Sequence, residues 1–516
     1  MDYASLKSIA ATQDWLLLWP ELSMALVALL ILLGDSLAPA RFHDCWRRVG
    51  AAFTFFILAG MIAFANCSPG SCQVPASAFG GMIEVHPSGQ WFRMFFLLTN
   101  LVVFWLGGHY FLKRGLVRTE YFALSMLVTA AMMLLAHARH FAVVFVSLET
   151  IAIGLYVLVA YDRKSAFSLE AGIKYLVVGG TNTAILLLGI ALLYGMGGHP
   201  DLEGRSADPL LFSNLHAFLS LNGSDAIAQA AVLLILASAA FKVGLVPFQI
   251  WIPDVYQGAP TPTTYLLAVS SKTAGMVLLF LLFGSDAPFT PLAGFLSPVL
   301  TFVVIASLLY GNLTALGYTN VKRLIGMSGV SHAAFLLLGV LVWLQPNGVA
   351  WIQGALLFYL FGYFIASTLV FGVMAILGAE HDEAQDLYDY SRLSEQRPLL
   401  AGVLTIGLAS LAGIPPLVGF VAKFSIFVAA WQSSFFVILG FAVLGVVLSI
   451  YYYFKWIREA YYHDAAVDLQ LEEGSVSRPV FAGASFLDAF ILGLFAAAAC
   501  LLGLLPLDLL SNWSFL

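Results

Sequence analysis

Charge is what this 516-residue sequence has least of: Asp, Glu, Lys and Arg make up 10% of it, against 61% hydrophobic residues. Ordinary soluble domains carry about 25% charged residues, so that class is excluded. Cysteines number four (45, 67, 72 and 500) and form no metal-binding pattern. No stretch resembles a phosphate loop, a nucleotide fingerprint, a haem attachment or an iron–sulfur spacing. No metal or cofactor is therefore expected in this chain, and no nucleic-acid partner. The opening MDYASLKSIAATQDW lacks the basic start of a cleaved signal peptide, so the first hydrophobic segment is expected to be retained.

What is present is a long series of apolar runs of membrane-spanning length. Fourteen segments are read near 15–34, 50–66, 92–112, 120–137, 140–160, 168–196, 228–252, 262–284, 292–316, 324–344, 350–378, 399–430, 434–454 and 484–510. The expected class is an all-α polytopic membrane protein of about 14 transmembrane helices, surrounded by lipid. Three connections are long: 67–91, 197–227 and 455–483.

Basic residues orient the bundle. Fifteen of the 23 Lys and Arg fall in the loops after segments 1, 3, 5, 9, 11 and 13, against four (Lys7, Arg93, Arg139 and Arg205) on the other side. The positive-inside rule makes the first set cytoplasmic and puts both termini outside, in a bacterial inner membrane. Cys67 and Cys72 then lie outside, as free thiols or as a disulfide. The acidic stretch 379–397 falls inside and is read as a solvated linker.

Four cations remain, all inside predicted helices: Lys174, Lys242, Lys272 and Lys423. A lysine near the bilayer centre costs about 2.5–3.5 kcal/mol, so it faces a partner or a wet cavity. Desolvation brings a lysine towards a pH at which it can load and release a proton, and a nearby carboxylate opposes that shift. A proton relay is the leading reading for Lys272 and Lys423, and snorkelling is its competitor. Glu149, mid-helix in FAVVFVSLETIAIGLYVLVAY, needs a cation partner or a proton. Lys242 and Lys174 are the nearest candidates along the chain, and a structural ion pair is the bland alternative. His332 is either a hydrogen-bonded packing residue or a relay group. Glu21 and Asp35, near the ends of the first helix, are expected at the interface.

Two segments carry prolines where a helix should continue. Pro247 in FKVGLVPFQIWIPD crowds the carbonyl of Val243, and Pro415-Pro416 in LASLAGIPPLVGF free those of Leu411 and Ala412. Interrupted segments at corresponding places in two halves point to a transport site between inverted repeats. The expected units are helices 4–8 and 9–13, five each, with helices 7 and 12 discontinuous. The domain division is then 1–118, 119–286, 287–458 and 459–516.

The stretches FKVGLVPFQIWIPDVYQGAPTP, GNLTALGYTNVKRLIGMSGVSHAAFLLLG, SLAGIPPLVGFVAKF and SLEAGIKYLVVGGTNTAILLLGIALLYG resemble the antiporter-like subunits of proton-translocating NADH–quinone oxidoreductase, respiratory complex I. Within that family the match is to the subunit N branch, the counterpart of mitochondrial NADH dehydrogenase subunit 2. The resemblance implies that Glu149 and Lys242 form a gating pair, that Lys272 is the central relay and that Lys423 is the exit-side lysine. It also implies partner membrane subunits, including a sister antiporter-like subunit. NADH, FMN, iron–sulfur clusters and quinone would reside elsewhere in the whole complex. Gln249 departs from the commoner histidine-bearing form of QIWIPD. A multi-subunit sodium/proton antiporter, a membrane-bound hydrogenase and a purely structural scaffold are the alternatives.

Overall fold

Each helix begins and ends where its local chemistry allows. In the computed structural model, which describes residues 13–37, 43–67, 76–113, 119–284, 287–345, 349, 351–378, 385–461 and 484–504, Asp225, Ser165 and Asn320 cap helix starts by accepting backbone N–H groups. The helices are α1 (Trp19–Leu37), α2 (His43–Cys67), α3 (Pro87–Lys113), α4 (Thr119–Leu135), α5 (Phe141–Val159), α6 (Ala166–Gly197), α7a (Ala226–Val243) and α7b (Ile252–Gly258). They continue with α8 (Thr261–Leu282), α9 (Ala293–Gly317), α10 (Val321–Trp343), α11 (Ile352–Leu377), α12a (Pro398–Ala412), α12b (Val418–Gln432), α13 (Phe436–Tyr461) and α14 (Phe486–Gly503).

Among the described residues, 12 helices are long and apolar enough to cross a membrane. The fourteen predicted segments map onto these twelve plus α4, which is one residue too short at 17, and the divided α12. Burial sorts the helices into two shells. α10 is enclosed on every side, and α8 and α11 nearly so. α1, α5, α6, α13 and α14 turn residues such as Leu33, Ile153, Val177, Val447 and Leu494 outward. Apolar surface facing out suits a hydrocarbon solvent.

Both expected breaks are present, and glycine makes them. α7a stops at Gly244 (φ 86°) and α12a at Gly413 (φ 84°), both left-handed. In each, the glycine N–H and the next N–H turn back to the preceding turn: Leu245 N–H reaches Ala240 O at 2.8 Å, and Ile414 N–H reaches Ala409 O at 3.1 Å. This is the Schellman end of a helix, and a positive φ is why glycine stands there. The prolines, with cis Val246–Pro247 and Pro415–Pro416 bonds, come two to three residues later. The sequence reading assigned the break to proline; the glycine ends the helix first.

The long connections are more structured than a polar loop. Ala76–Ala78 (β1) pairs antiparallel with Ile83–Val85 (β2), and Phe212–Asn222 forms a short helix that buries Phe212, Leu215 and Phe218. The Cys67–Cys72 pairing lies outside the described residues. Part of the acidic linker is packed, since Leu387, Tyr390 and Leu393 are buried.

Three charges expected at the surface are inside. Arg93 and Glu21 form a buried ion pair at 2.6 Å, with Arg93 Nη2 also donating to Leu17 O at 3.0 Å. Lys322, counted as a cytoplasmic loop residue, is fully buried and donates to Ala259 O at 2.9 Å. All three sit within a turn or two of a helix end, where sequence position cannot separate a loop charge from one folded inward.

Candidate functional site

The second break supplies its own acceptor set. Gly413 and Ile414 consume the carbonyls of Ala409 and Ser410, leaving those of Leu411 and Ala412 without a helical partner. Lys423, buried one and a half turns into α12b, donates to both, at 2.8 and 3.0 Å. Its ammonium also lies 5.3 Å from the centre of the Phe335 ring. The two carbonyls named from the proline positions are those the lysine occupies.

Lys272 begins where a π turn, Leu267–Ser271, interrupts α8. Such turns occur often at functional sites. Its ammonium donates to Gly329 O of α10 at 2.7 Å and lies 5.1 Å from the Tyr363 ring centre. Gly329 is what lets it approach: a β-carbon there would sit 2.5 Å from the ammonium nitrogen. Among the described residues neither Lys272 nor Lys423 has a carboxylate within ion-pair distance.

His332 stands between these two lysines, within electrostatic reach of both. Its Nδ1 is 2.8 Å from Tyr359 Oη, its Nε2 3.3 Å from Tyr453 Oη, and its ring lies 4.9 Å from that of Tyr363. A narrow cavity joins His332, Tyr359, Tyr363, Ser410 and Lys423. From Tyr453 the polar cluster continues through the Tyr452 ring, 4.6 Å away, to Asn312 and Ser331. The tyrosines were not singled out from sequence, where they are four among 20.

The first half is built differently. Lys242 closes the last turn of α7a, is buried, and feels the Glu149 carboxylate without forming an ion pair. Glu149 is half-buried on α5 and accepts a hydrogen bond from the Thr183 hydroxyl of α6. Lys174 does not join them. It is exposed and binds Glu170 at 2.7 Å and Asp254 at 2.6 Å; Arg323 reaches the other Asp254 oxygen at 2.8 Å. Lys174 therefore clamps α7b to α6, and its place as a partner of Glu149 is corrected. Its run of apolar neighbours hid that it faces outward.

The family described as "NADH:quinone oxidoreductase/Mrp antiporter, TM" matches residues 138–449. The chain is 46% identical to NADH-quinone oxidoreductase subunit N 1 of Opitutus terrae over 90% of each protein. The chain belongs to the NADH-quinone oxidoreductase subunit N family. Subunit N 2 of Acidobacterium capsulatum is 32% identical over 96% of this chain and 97% of that protein. In respiratory complex I of Thermus thermophilus one chain superposes with a TM-score of 0.74, at 26% identity, covering 96% of this chain and 99% of that one. A chain of an archaeal membrane-bound sulfane sulfur reductase shares the fold, with a TM-score of 0.77 at 21% identity over 97% of both. The matched residues 138–449 include Glu149, Lys242, Lys272, His332 and Lys423, while Tyr452 and Tyr453 lie just beyond them.

Proposed function

We propose that this subunit N family member translocates protons as a membrane subunit of an NADH–quinone oxidoreductase. Its route runs from Glu149 and Lys242 through Lys272 and His332 to Lys423. The single observation that carries the reading is the second half of the site: two enclosed lysines, no carboxylate partner for either among the described residues, and a histidine between them.

A charge held in low dielectric without a counter-ion is costly, and carbonyls and ring faces offset that cost only in part. Such a group gives up its proton when an acceptor or a shifted neighbouring charge is presented. Glu149 supplies the opposite influence at the first lysine, because its carboxylate favours the ammonium. Moving that charge switches proton affinity without moving the lysine. Driving one charge against 100 mV takes about 2.3 kcal/mol, within reach of one charge rearrangement in a dry site. Electron transfer through NADH, FMN, iron–sulfur clusters and quinone would take place in other subunits, with a sister antiporter-like subunit alongside.

The same reading assigns residues 119–286 and 287–458 to two inverted five-helix units, with 1–118 and 459–516 flanking them. The matched glycine-ended breaks at Gly244 and Gly413 support this division. Both termini face the outer side of a bacterial inner membrane, as the distribution of Lys and Arg suggests.

The test is at Lys272, whose ammonium meets a carbonyl and a ring inside the bundle. Arginine keeps the charge but stays protonated, and methionine keeps the length without a proton. Lys272→Arg and Lys272→Met are both expected to impair pumping in assembled complexes, with quinone reduction followed in parallel. Normal pumping in Lys272→Arg removes this residue from the path.

A further inference from the structure

Lys242 and Asn182 present complementary vacancies. Lys242 is 8% exposed and, among the described residues, its ammonium makes neither an ion pair nor a hydrogen bond to protein. Asn182, on α6, is 5% exposed; its Nδ2 donates to Ser238 Oγ at 2.9 Å, and its Oδ1 has no donor. Ser238 precedes Lys242 by four residues on α7a, so the two side chains share one face, roughly 5–6 Å apart at their β-carbons. Lys242 thus stands one helical turn from the serine that the Asn182 amide holds, and the oxygen of that amide lacks a donor.

The residue beside Asn182 serves the other member of the pair. Thr183 donates to Glu149. Adjacent positions of one helix therefore reach the carboxylate and the lysine's face. Turning the amide over would let Ser238 donate to its oxygen but would leave the NH₂ group without an acceptor. The ammonium favours the orientation with oxygen outward. The other titratable groups facing this region are Tyr156 on α5, which feels Glu149, and Tyr175 on α6, whose ring meets that of Tyr156 edge-on at 5.0 Å. Neither fills the vacancy as a charged partner at neutral pH, because a phenol titrates near 10.

We propose that Asn182 is a positioning residue of the proton path, its carbonyl oxygen holding the Lys242 ammonium through one internal water while Thr183 holds Glu149. A bridging water needs two to four polar partners, and the ammonium, the Asn182 oxygen and the Ser238 hydroxyl supply them. α6 then sets the gap between the carboxylate and the lysine: close enough to act electrostatically, too far to lock as an ion pair. This rests on the reading of Lys242 as part of the path.

The experiment uses the assembled complex in proteoliposomes, with pumping and quinone reduction recorded from about pH 5.5 to about pH 9, which brackets neutrality. Asn182→Leu should assemble and pump about tenfold more slowly. Asn182→Asp, nearly isosteric, adds a carboxylate that favours the ammonium and should move the acid limb of the pumping profile upward by about one pH unit. A merely structural asparagine would change assembly and leave that limb in place. Wild-type pumping in assembled Asn182→Leu overturns the proposal. Should Asn182→Leu not assemble, an unmoved limb in Asn182→Asp overturns it instead. Lys242→Met separates the two failures: if it pumps normally, the reading of Lys242 falls. If it is inactive while both Asn182 variants behave as wild type, only the role of Asn182 falls.

Discussion

Gly329→Ala perturbs the central lysine without touching it. The added methyl carbon would lie 2.5 Å from the Lys272 nitrogen and 3.6 Å from Tyr363 Oη. Comfortable non-bonded separation is about 3.5–4.0 Å, so the overlap with the ammonium is about 1 Å. α10 is packed on every side, and Lys272 is the more adjustable partner. It should leave the Gly329 carbonyl that it binds at 2.7 Å. A hydrogen bond to a charged group contributes about 1.5–3 kcal/mol, and every 1.4 kcal/mol is tenfold in an equilibrium. Pumping should therefore fall by one to two orders of magnitude. The helix itself gains from alanine by about 0.8–1 kcal/mol, which offsets part of the overpacking, so assembly should survive. Gly339→Ala is the matched control: it lies on the same helix and makes the same 2.5 Å approach, but to Leu356 Cδ2. Dye-reported proton uptake and quinone reduction on reconstituted complexes would separate the two variants. Equal pumping in Gly329→Ala and Gly339→Ala would refute the claim that the position of the Lys272 amine matters.

Lys174→Ala should leave pumping within about twofold of wild type, because exposed ion pairs contribute only about 0.2–1 kcal/mol each; a loss comparable to Lys272→Met would return Lys174 to the relay. Burial, with Arg139 and Arg93 nearby, pushes His86, just before the start of α3, down to about 4. Between that value and the ordinary 6.5 the unfolded chain binds more protons than the folded one, so stability is lost as pH falls, by about 2 kcal/mol at pH 5. Thermal unfolding at pH 7 and pH 5 should show this loss, and His86→Gln should flatten it. A reporter fused after Leu516 should read the outer side; cytoplasmic activity would mean that one helix has been miscounted.

Legibility from sequence followed contrast. In a chain with so few charges, Lys272 and Lys423 stand out because each is the one charge in its long predicted segment, and the folded protein encloses both. The carbonyls of Leu411 and Ala412 were legible because proline leaves a fixed register behind it. Arg93, Glu21 and Lys322 were misread because a charge within two turns of a helix end has two possible surroundings, and only packing chooses between them. Tyr359, Tyr363, Tyr453 and Asn182 carried no signal at all: each is an unremarkable residue whose role comes from the helix it faces. Lys174 failed in the opposite sense, since its depth along α6 was legible but its outward direction was not.

The two breaks, alike in backbone, differ in what holds them. At Gly413 the lysine of the second half-helix bonds the last two carbonyls of the first, so one side chain bridges the break. Proton occupancy and the geometry of that joint are then a single thermodynamic variable. Whatever bends α12a away from α12b weakens the hold on the proton, and removing the proton loosens the bend. At Gly244, among the described residues, no lysine from beyond the break bonds the helix end, and on the proposed route that joint answers to Glu149 instead. On the proposed route, the Gly413 joint would act as a latch that senses its own proton. The Gly244 joint would act as a lever worked by a neighbouring charge.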